Sequence, residues 1–191
     1  MLRIAGLLAA LSCLFAATGA HAVFLDCVFN DGFEASGTTD SQPLAALRLH
    51  NCARKTVVPA AAAPIEPLGW SAAIAALAQT YSSACVYAHS GRAGYGENIY
   101  AAAGFTPTMR DAVSAWLSEQ PYYNYAANTC SAPSPPGTCG HYTQTVWDST
   151  AQVGCGLSYC TQNTPFGSKF PNWYFVVCDY APAGNDGGRP Y

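Results

Sequence analysis

His141 stands in the stretch CGHYTQTVWDST, residues 139–150, after a cysteine and a glycine and ahead of a β-branched and aromatic run. An imidazole there has three uses: acid–base chemistry, metal ligation through a neutral ring nitrogen, or packing beside Trp147. Chemistry needs partners, and the candidates are scattered. His89, Glu97, Glu119 and His141 follow one another at steps of 8, 22 and 22 residues, with no H-E-x-x-H or comparable local geometry. Ser90 beside His89 does not make a serine nucleophile, because sequence neighbours rarely meet as nucleophile and base and no G-x-S-x-G elbow is present. Glu119 is oddly placed. It falls about 60° from Trp116 around a helical pattern and near its C-terminal end, where the macrodipole disfavours a carboxylate. Either it is solvated there or something positive comes to it.

The start of the chain bears on the cysteines. Met1-Leu2-Arg3, an apolar run from Ile4 to Ala17 and the small-x-small Ala20-His21-Ala22 read as a secretory signal over residues 1–22. The run is too short for a transmembrane span. Removal leaves 191 − 22 = 169 residues, enough for one domain. It also takes Cys13 from the nine cysteines and leaves eight: Cys27, Cys52, Cys85, Cys130, Cys139, Cys155, Cys160 and Cys178. An even count in a secreted chain argues for disulfides, and no repeated close pair supports a structural zinc site. Removing Arg3 leaves 7 basic and 11 acidic residues, net −4. No basic run exists, so nucleic-acid binding lacks its electrostatic term.

The elements that must position these residues are read from periodicity. Residues 23–40 form an N-terminal strap held by Cys27, and a single domain spans 41–191. From Ser41 a helix presents Leu44, Leu47, Asn51 and Arg54. VVPAAAAPIEP then excludes a helix through its three prolines. A second helix from Trp70 presents Ile74, Leu77, Ala78, Tyr81 and Cys85. A third takes Thr106 as N-cap and Pro107 as first residue, presents Met109, Val113, Trp116 and Leu117, and stops at Pro121. After residue 140 the period changes to two. His141–Trp147, AQVGCGLSYC and NWYFVVCDY read as strands, the last apolar on both faces and so covered on both sides. This predicts an α+β fold, a three-layer α-β-α sandwich around a short antiparallel sheet. The four tryptophans belong to the core.

Eight stretches in order resemble the CAP superfamily (cysteine-rich secretory proteins, antigen 5, pathogenesis-related 1). They are LRLHNCAR (47–54), PLGW (67–70), CVYAHS (85–90), GYGENIY (94–100), WLSEQPYYNY (116–125), CGHYTQTVWDST (139–150), VGCGLSYC (153–160) and FVVCDYAPAGNDGGRPY (175–191). The tail and cysteine placement resemble the plant pathogenesis-related 1 branch. The resemblance implies a groove lined by His89, Glu97, Glu119 and His141, with a weak divalent-metal site, zinc foremost, or else a tetrad that ties helices to sheet. It implies structural roles for His50, Asn51 and Arg54, turn geometry at Gly96 and Asn98, and the disulfides Cys85–Cys160, Cys130–Cys139 and Cys155–Cys178. Cys27 and Cys52 then remain to pair.

For function, the resemblance implies an extracellular, monomeric, non-catalytic binding module for lipid, sterol or an extracellular protein target. The alternative is a metal-dependent hydrolase using a Glu97 or Glu119 base. Tyr122, Tyr123 and Tyr125, ahead of a loop closed by Cys130–Cys139, suit a lipid or protein contact surface or simply the core under that loop. Plant members release a C-terminal peptide after C-N-Y-x, and APAGNDGGRPY is similar, with Asp179 where asparagine is usual.

Overall fold

The computed structural model describes residues 41–133 and 137–191. The leader over 1–22, the strap over 23–40 with Cys27, and residues 134–136 lie outside the described residues.

Helix α1, Gln42–Lys55, has proline in its first turn and Arg54 and Lys55 in its last, the signs that suit each end. Its inner face differs from the expected one. Ala45, Ala46, Leu49, His50, Ala53 and Arg54 are buried, whereas Leu44 is 39% exposed. The reason lies across the interface. Helix α3, Met109–Leu117, brings Met109, Val113, Trp116 and Leu117 into the same core, and alanines on α1 accept that bulk where leucines would not. Helix α3 starts two residues later than Thr106 predicts. Thr108 is the N-cap, because Asp111 stands three residues on and completes a reciprocal capping box. It also ends early, at Leu117, and Pro121 sits in a separate 3₁₀ turn, Gln120–Tyr122.

The sheet runs in the order β1 (Gly69–Trp70), β5 (Gln152–Cys160), β6 (Trp173–Ala181), β2 (Gly96–Ala102), with a short hairpin β3 (Tyr123–Asn124) and β4 (Thr129–Cys130) apart from it. All main-sheet pairs are antiparallel except β1–β5. GENIY is therefore a strand and not the turn expected at Gly96 and Asn98: its Glu97, Asn98 and Ile99 stand opposite Asp179, Cys178 and Val177. One face of the sheet meets α1 and α3 over Val153, Cys155, Val176, Cys178 and Tyr180. The other carries Ile99, Trp173, Phe175 and Val177 against helix α2, Ala72–Ser83. Close packing there needs glycine. A Cβ on Gly154 would lie 2.2 Å from the Ala75 amide nitrogen, and one on Gly156 would lie 2.3 Å from Gln79 Cα. The three-layer α-β-α sandwich is thus formed.

The expected strand over His141–Trp147 is corrected to a helix, α4, Gly140–Thr145. Its β-branched threonines tolerate the helix because their hydroxyls donate four residues back, Thr143 to the Cys139 carbonyl at 3.1 Å and Thr145 to the His141 carbonyl at 2.9 Å. Burial of Tyr142, Thr143, Gln144 and Thr145 overrides their strand preference.

Three disulfides pair Cys85–Cys160, Cys130–Cys139 and Cys155–Cys178, the last directly across β5 and β6. Cys52 is also disulfide-bonded; Cys27 lies outside the described residues. His50, Asn51 and Arg54 are structural, as expected. Asn51 exchanges two hydrogen bonds with the Leu68 backbone. Buried Arg54 donates to the carbonyls of Glu66, Thr145, Trp147, Asp148 and Thr150. Trp116, Trp147 and Trp173 are core residues, and Trp70 is half-buried. The tail folds back on the domain: Arg189 donates to the Tyr125 and Ala126 carbonyls, and Tyr125 stacks on Tyr191 and hydrogen-bonds its carbonyl.

Candidate functional site

Four segments converge at the Gly96 end of β2. The loop after α2 supplies His89, strand β2 supplies Glu97, the residue after the α3 C-cap supplies Glu119, and α4 supplies His141. They meet as two pairs. His89 Nδ1 and Glu97 Oε1 are 2.8 Å apart, and the Ser90 amide donates to the same oxygen at 2.8 Å. His141 Nδ1 and Glu119 Oε1 are 2.6 Å apart, and the Tyr142 amide donates to Glu119 Oε2 at 3.0 Å. Glu119 is 7% exposed: just past the α3 C-cap, at the unfavourable end of the helix dipole, it meets an imidazole and a backbone donor that offset it.

The two imidazoles face one cavity of about 280 Å³, lined also by Glu97, Asn98, Thr138, Gly140 and Asn185. They differ in freedom. The His89 side chain is 60% exposed and that of His141 is 28% exposed. His141 also stacks on Trp116, with ring centroids 6.0 Å apart and planes 19° from parallel. A carboxylate accepting from Nδ1–H fixes the tautomer and leaves the Nε2 lone pair without that partner. Among the described residues, no three His, Cys, Asp or Glu side chains are already gathered as a metal cluster.

Behind the site runs a chain of hydrogen bonds that the sequence does not announce. His50 Nδ1 bonds the Ala46 carbonyl and its Nε2 meets the Tyr180 hydroxyl, each at 2.8 Å. Burial holds the His50 imidazole down at about 4, so it is neutral and can accept from that hydroxyl. Asn98 Nδ2 donates to Tyr180 Oη at 3.2 Å and to the His141 carbonyl at 3.0 Å. The reading of Asn98 as turn geometry concealed this link from α1 to the His141 backbone. Asn185 was missed too: it accepts from Thr143 Oγ1 at 2.7 Å and donates to the Gly140 carbonyl at 2.9 Å.

Asp179 is the least expected neighbour. It lies across from Glu97 on β6, fully buried, and neither of its oxygens has a hydrogen-bond partner among the described residues. Burial, reinforced by the Glu97 charge, pushes its carboxyl up to about 6, while Arg92, 3.8 Å away, partly holds it down.

The tyrosines are divided. Tyr123 packs on Tyr142 and hydrogen-bonds Asn128, Tyr125 is stacked with Tyr191, and Tyr122 is 41% exposed. With Val58, Pro59 and Pro121 all three line a shallow cavity of about 440 Å³.

Comparison with known proteins decides the family. The model described as the cysteine-rich secretory protein family, CAP, matches residues 47–180. The chain belongs to the CAP family. The pathogenesis-related protein PR-1 type of Sambucus nigra is 37% identical over 147 residues, 74% of this chain and 77% of that protein. Pathogenesis-related leaf protein 4 of Solanum lycopersicum is 36% identical over 88% of this chain and 96% of its own. Peptidase inhibitor 16 of Mus musculus is 37% identical over 80% of this chain, which spans only 30% of that longer protein. Among solved structures, NaASP2 with Zn²⁺ is similar at a TM-score of 0.63 and 25% identity, covering 82% of this chain and 88% of that one. Venom allergen-like protein 4 of Schistosoma mansoni is similar at 0.54 and 26%, covering 92% and 94%. This CAP domain therefore joins pathogenesis-related 1-like proteins, and no helix among its described residues is long and apolar enough to cross a membrane.

Proposed function

We propose that this CAP domain is a secreted, non-catalytic binding module whose groove takes up a zinc ion through His89 and His141. The observation that carries the reading is that each Nδ1 is held by its own carboxylate while both rings line the same cavity. Carboxylate–imidazole pairs of this kind orient a ligand and raise its basicity. Two imidazole nitrogens are half of a tetrahedral set, so water or ligand atoms complete it and the site is weak. The structure of the relative NaASP2 with Zn²⁺ supports the same choice of metal. Binding is favoured over hydrolysis because both oxygens of Glu119 are engaged, and on Glu97 Oε1 takes an imidazole and a backbone amide while the unpartnered Oε2 is buried away from a substrate water. Calorimetric titration of zinc should give saturable heat with the native chain and none with His141→Ala or His89→Ala. Equal, negligible heats for all three would end the metal reading.

The second element of the module is the tyrosine cavity. Its lining of Tyr122, Tyr123, Tyr125, Pro59 and Pro121 is amphipathic and fits the flat apolar body and single hydroxyl of a sterol better than a charged ligand. Saturable cholesterol binding, weakened several-fold by Tyr122→Ala, is the expected result. No saturable uptake of cholesterol or fatty acid would remove this element and leave the metal site standing.

A further inference from the structure

The C-terminal tail is anchored at two places, and the two residues between them are held by neither. Upstream, the Gly184 amide donates to Gln144 Oε1 at 3.0 Å, and Asn185 bonds Thr143 Oγ1 and the Gly140 carbonyl of α4. Downstream, the Gly188 carbonyl accepts from Asn128 Nδ2 at 3.2 Å, Arg189 donates to the Tyr125 and Ala126 carbonyls, and the Pro190 carbonyl takes the Asp148 amide at 2.7 Å. Asp186 and Gly187 lie between, both exposed, and among the described residues neither makes a hydrogen bond. A Cβ added at Gly187 would meet nothing within 4 Å, and its φ of 104° is one that glycine adopts far more readily than other residues.

Aspartate followed by glycine is the pair whose main chain rearranges most easily, because no side chain shields the glycine nitrogen. The Gly187 nitrogen attacks Asp186 Cγ and an N–Cγ bond forms. The amide proton and the carboxyl OH leave together as water, and the product is a five-membered succinimide. One water then opens the ring at either carbonyl. Opening at the former main-chain carbonyl leaves Gly187 joined through Cγ, which is isoaspartate. The product is an isomer of the starting chain, and the sequence of steps needs no oxidant or reductant. A folded chain slows the first step by engaging the glycine amide or burying the carboxyl. At Asp186-Gly187 both are free.

We propose that Asp186 is a site of spontaneous conversion to isoaspartate in the native fold, and that the conversion loosens Asn185 from α4. Isoaspartate brings Cβ into the main chain and so adds one carbon–carbon bond, about 1.5 Å, between the two anchors. The upstream anchor yields. Asn185 holds by its two side-chain bonds, whereas Gly188, Arg189, Pro190 and Tyr191 are each fixed separately to the domain. Asn185 also lines the histidine cavity, so that wall of the groove shifts with it. None of this depends on the zinc or sterol readings, because the reaction needs only the chain and water.

The full chain, its Asp186→Glu variant and a free peptide of residues 182–191 are incubated side by side at neutral pH. Peptide mapping with electron-transfer fragmentation reads isoaspartate at each position. The native chain should form it at Asp186 at a rate of the same order as the free peptide, while Asp111, Asp148 and Asp179 stay unconverted. Asp186→Glu should give no such product, since glutamate would have to close a six-membered ring. The converted chain, separated by chromatography, should exchange its Gly184 amide several-fold faster by NMR than the unconverted chain, and the incubated Asp186→Glu variant should not change. An unconverted Asp186 in a chain whose free peptide converts would overturn the site. Unchanged Gly184 exchange in the converted chain would overturn the loosening of Asn185.

Discussion

Replacing Asp179 by asparagine should stabilise the protein at pH 7 and make its stability fall more steeply in acid. Asp179 is fully buried, faces Glu97 across the β2–β6 ladder and has only a 3.8 Å contact with Arg92 to offset its charge. Its carboxyl is pushed up from 3.8 to about 6, burial being the main cause. The folded chain therefore holds this proton more tightly than the unfolded chain. The corresponding stability is fully present below about 3.8 and is lost as pH rises through 6. The interval corresponds to about 3 kcal/mol of destabilisation at pH 7. His50 works in the opposite sense. Burial lowers it from 6.5 to about 4, so its stability is present above 6.5 and is lost as pH falls toward 4, again by about 3 kcal/mol. In the native chain these two contributions nearly cancel between pH 7 and pH 4. Asp179→Asn removes one and leaves the other uncovered. Asparagine keeps the side-chain shape and offers a donor to Glu97 Oε2, which is buried without a hydrogen-bond partner, and Arg92, a third exposed, can turn to solvent. Urea unfolding followed by tryptophan fluorescence, with disulfides intact, at pH 4, 5, 6 and 7 reads the difference directly. The variant should exceed the native chain by about 3 kcal/mol at pH 7 and converge on it by pH 4. A difference that does not change with pH, or a variant less stable than the native chain at pH 7, would refute the reasoning.

Arg54→Met should lower stability by about 3–5 kcal/mol in the same assay, because carbonyls of Glu66, Trp147 and Thr150 lose donors in a buried place. Arg54→Lys should recover only a fraction, since an ammonium cannot span the carbonyls that the guanidinium fork reaches. Gly154→Ala should cost about 2 kcal/mol or more by wedging α2 off β5. Gly69→Ala, whose added carbon would meet nothing closer than 3.8 Å, should stay within about 0.5 kcal/mol of the native chain by thermal or chemical denaturation.

Where local pattern and tertiary demand agree, the sequence is readable. Residues 173–181 are apolar on both faces because α2 packs on one side and the α1–α3 core on the other. The stripe Met109, Val113, Trp116, Leu117 is buried as its period requires. Disagreement begins where a segment's surroundings reverse its own preference. His141–Trp147 alternates like a strand, yet every residue from Tyr142 to Trp147 is buried. With both sides of the segment covered, alternation no longer separates inside from outside, and a helix can take the same residues. The helix also serves the site. Its first turn directs the Tyr142 amide to Glu119 Oε2 while the His141 ring bonds Oε1, so one carboxylate gathers two consecutive residues. In an extended strand, successive residues point to opposite faces, and a backbone donor and the preceding side chain are poorly placed to converge on one group. Glu119 is conspicuous in the sequence because a carboxylate at the end of a helix lacks a local reason. Its reason is 22 residues away, in a helix whose formation it helps to hold, and no periodicity within either segment could have disclosed the pair.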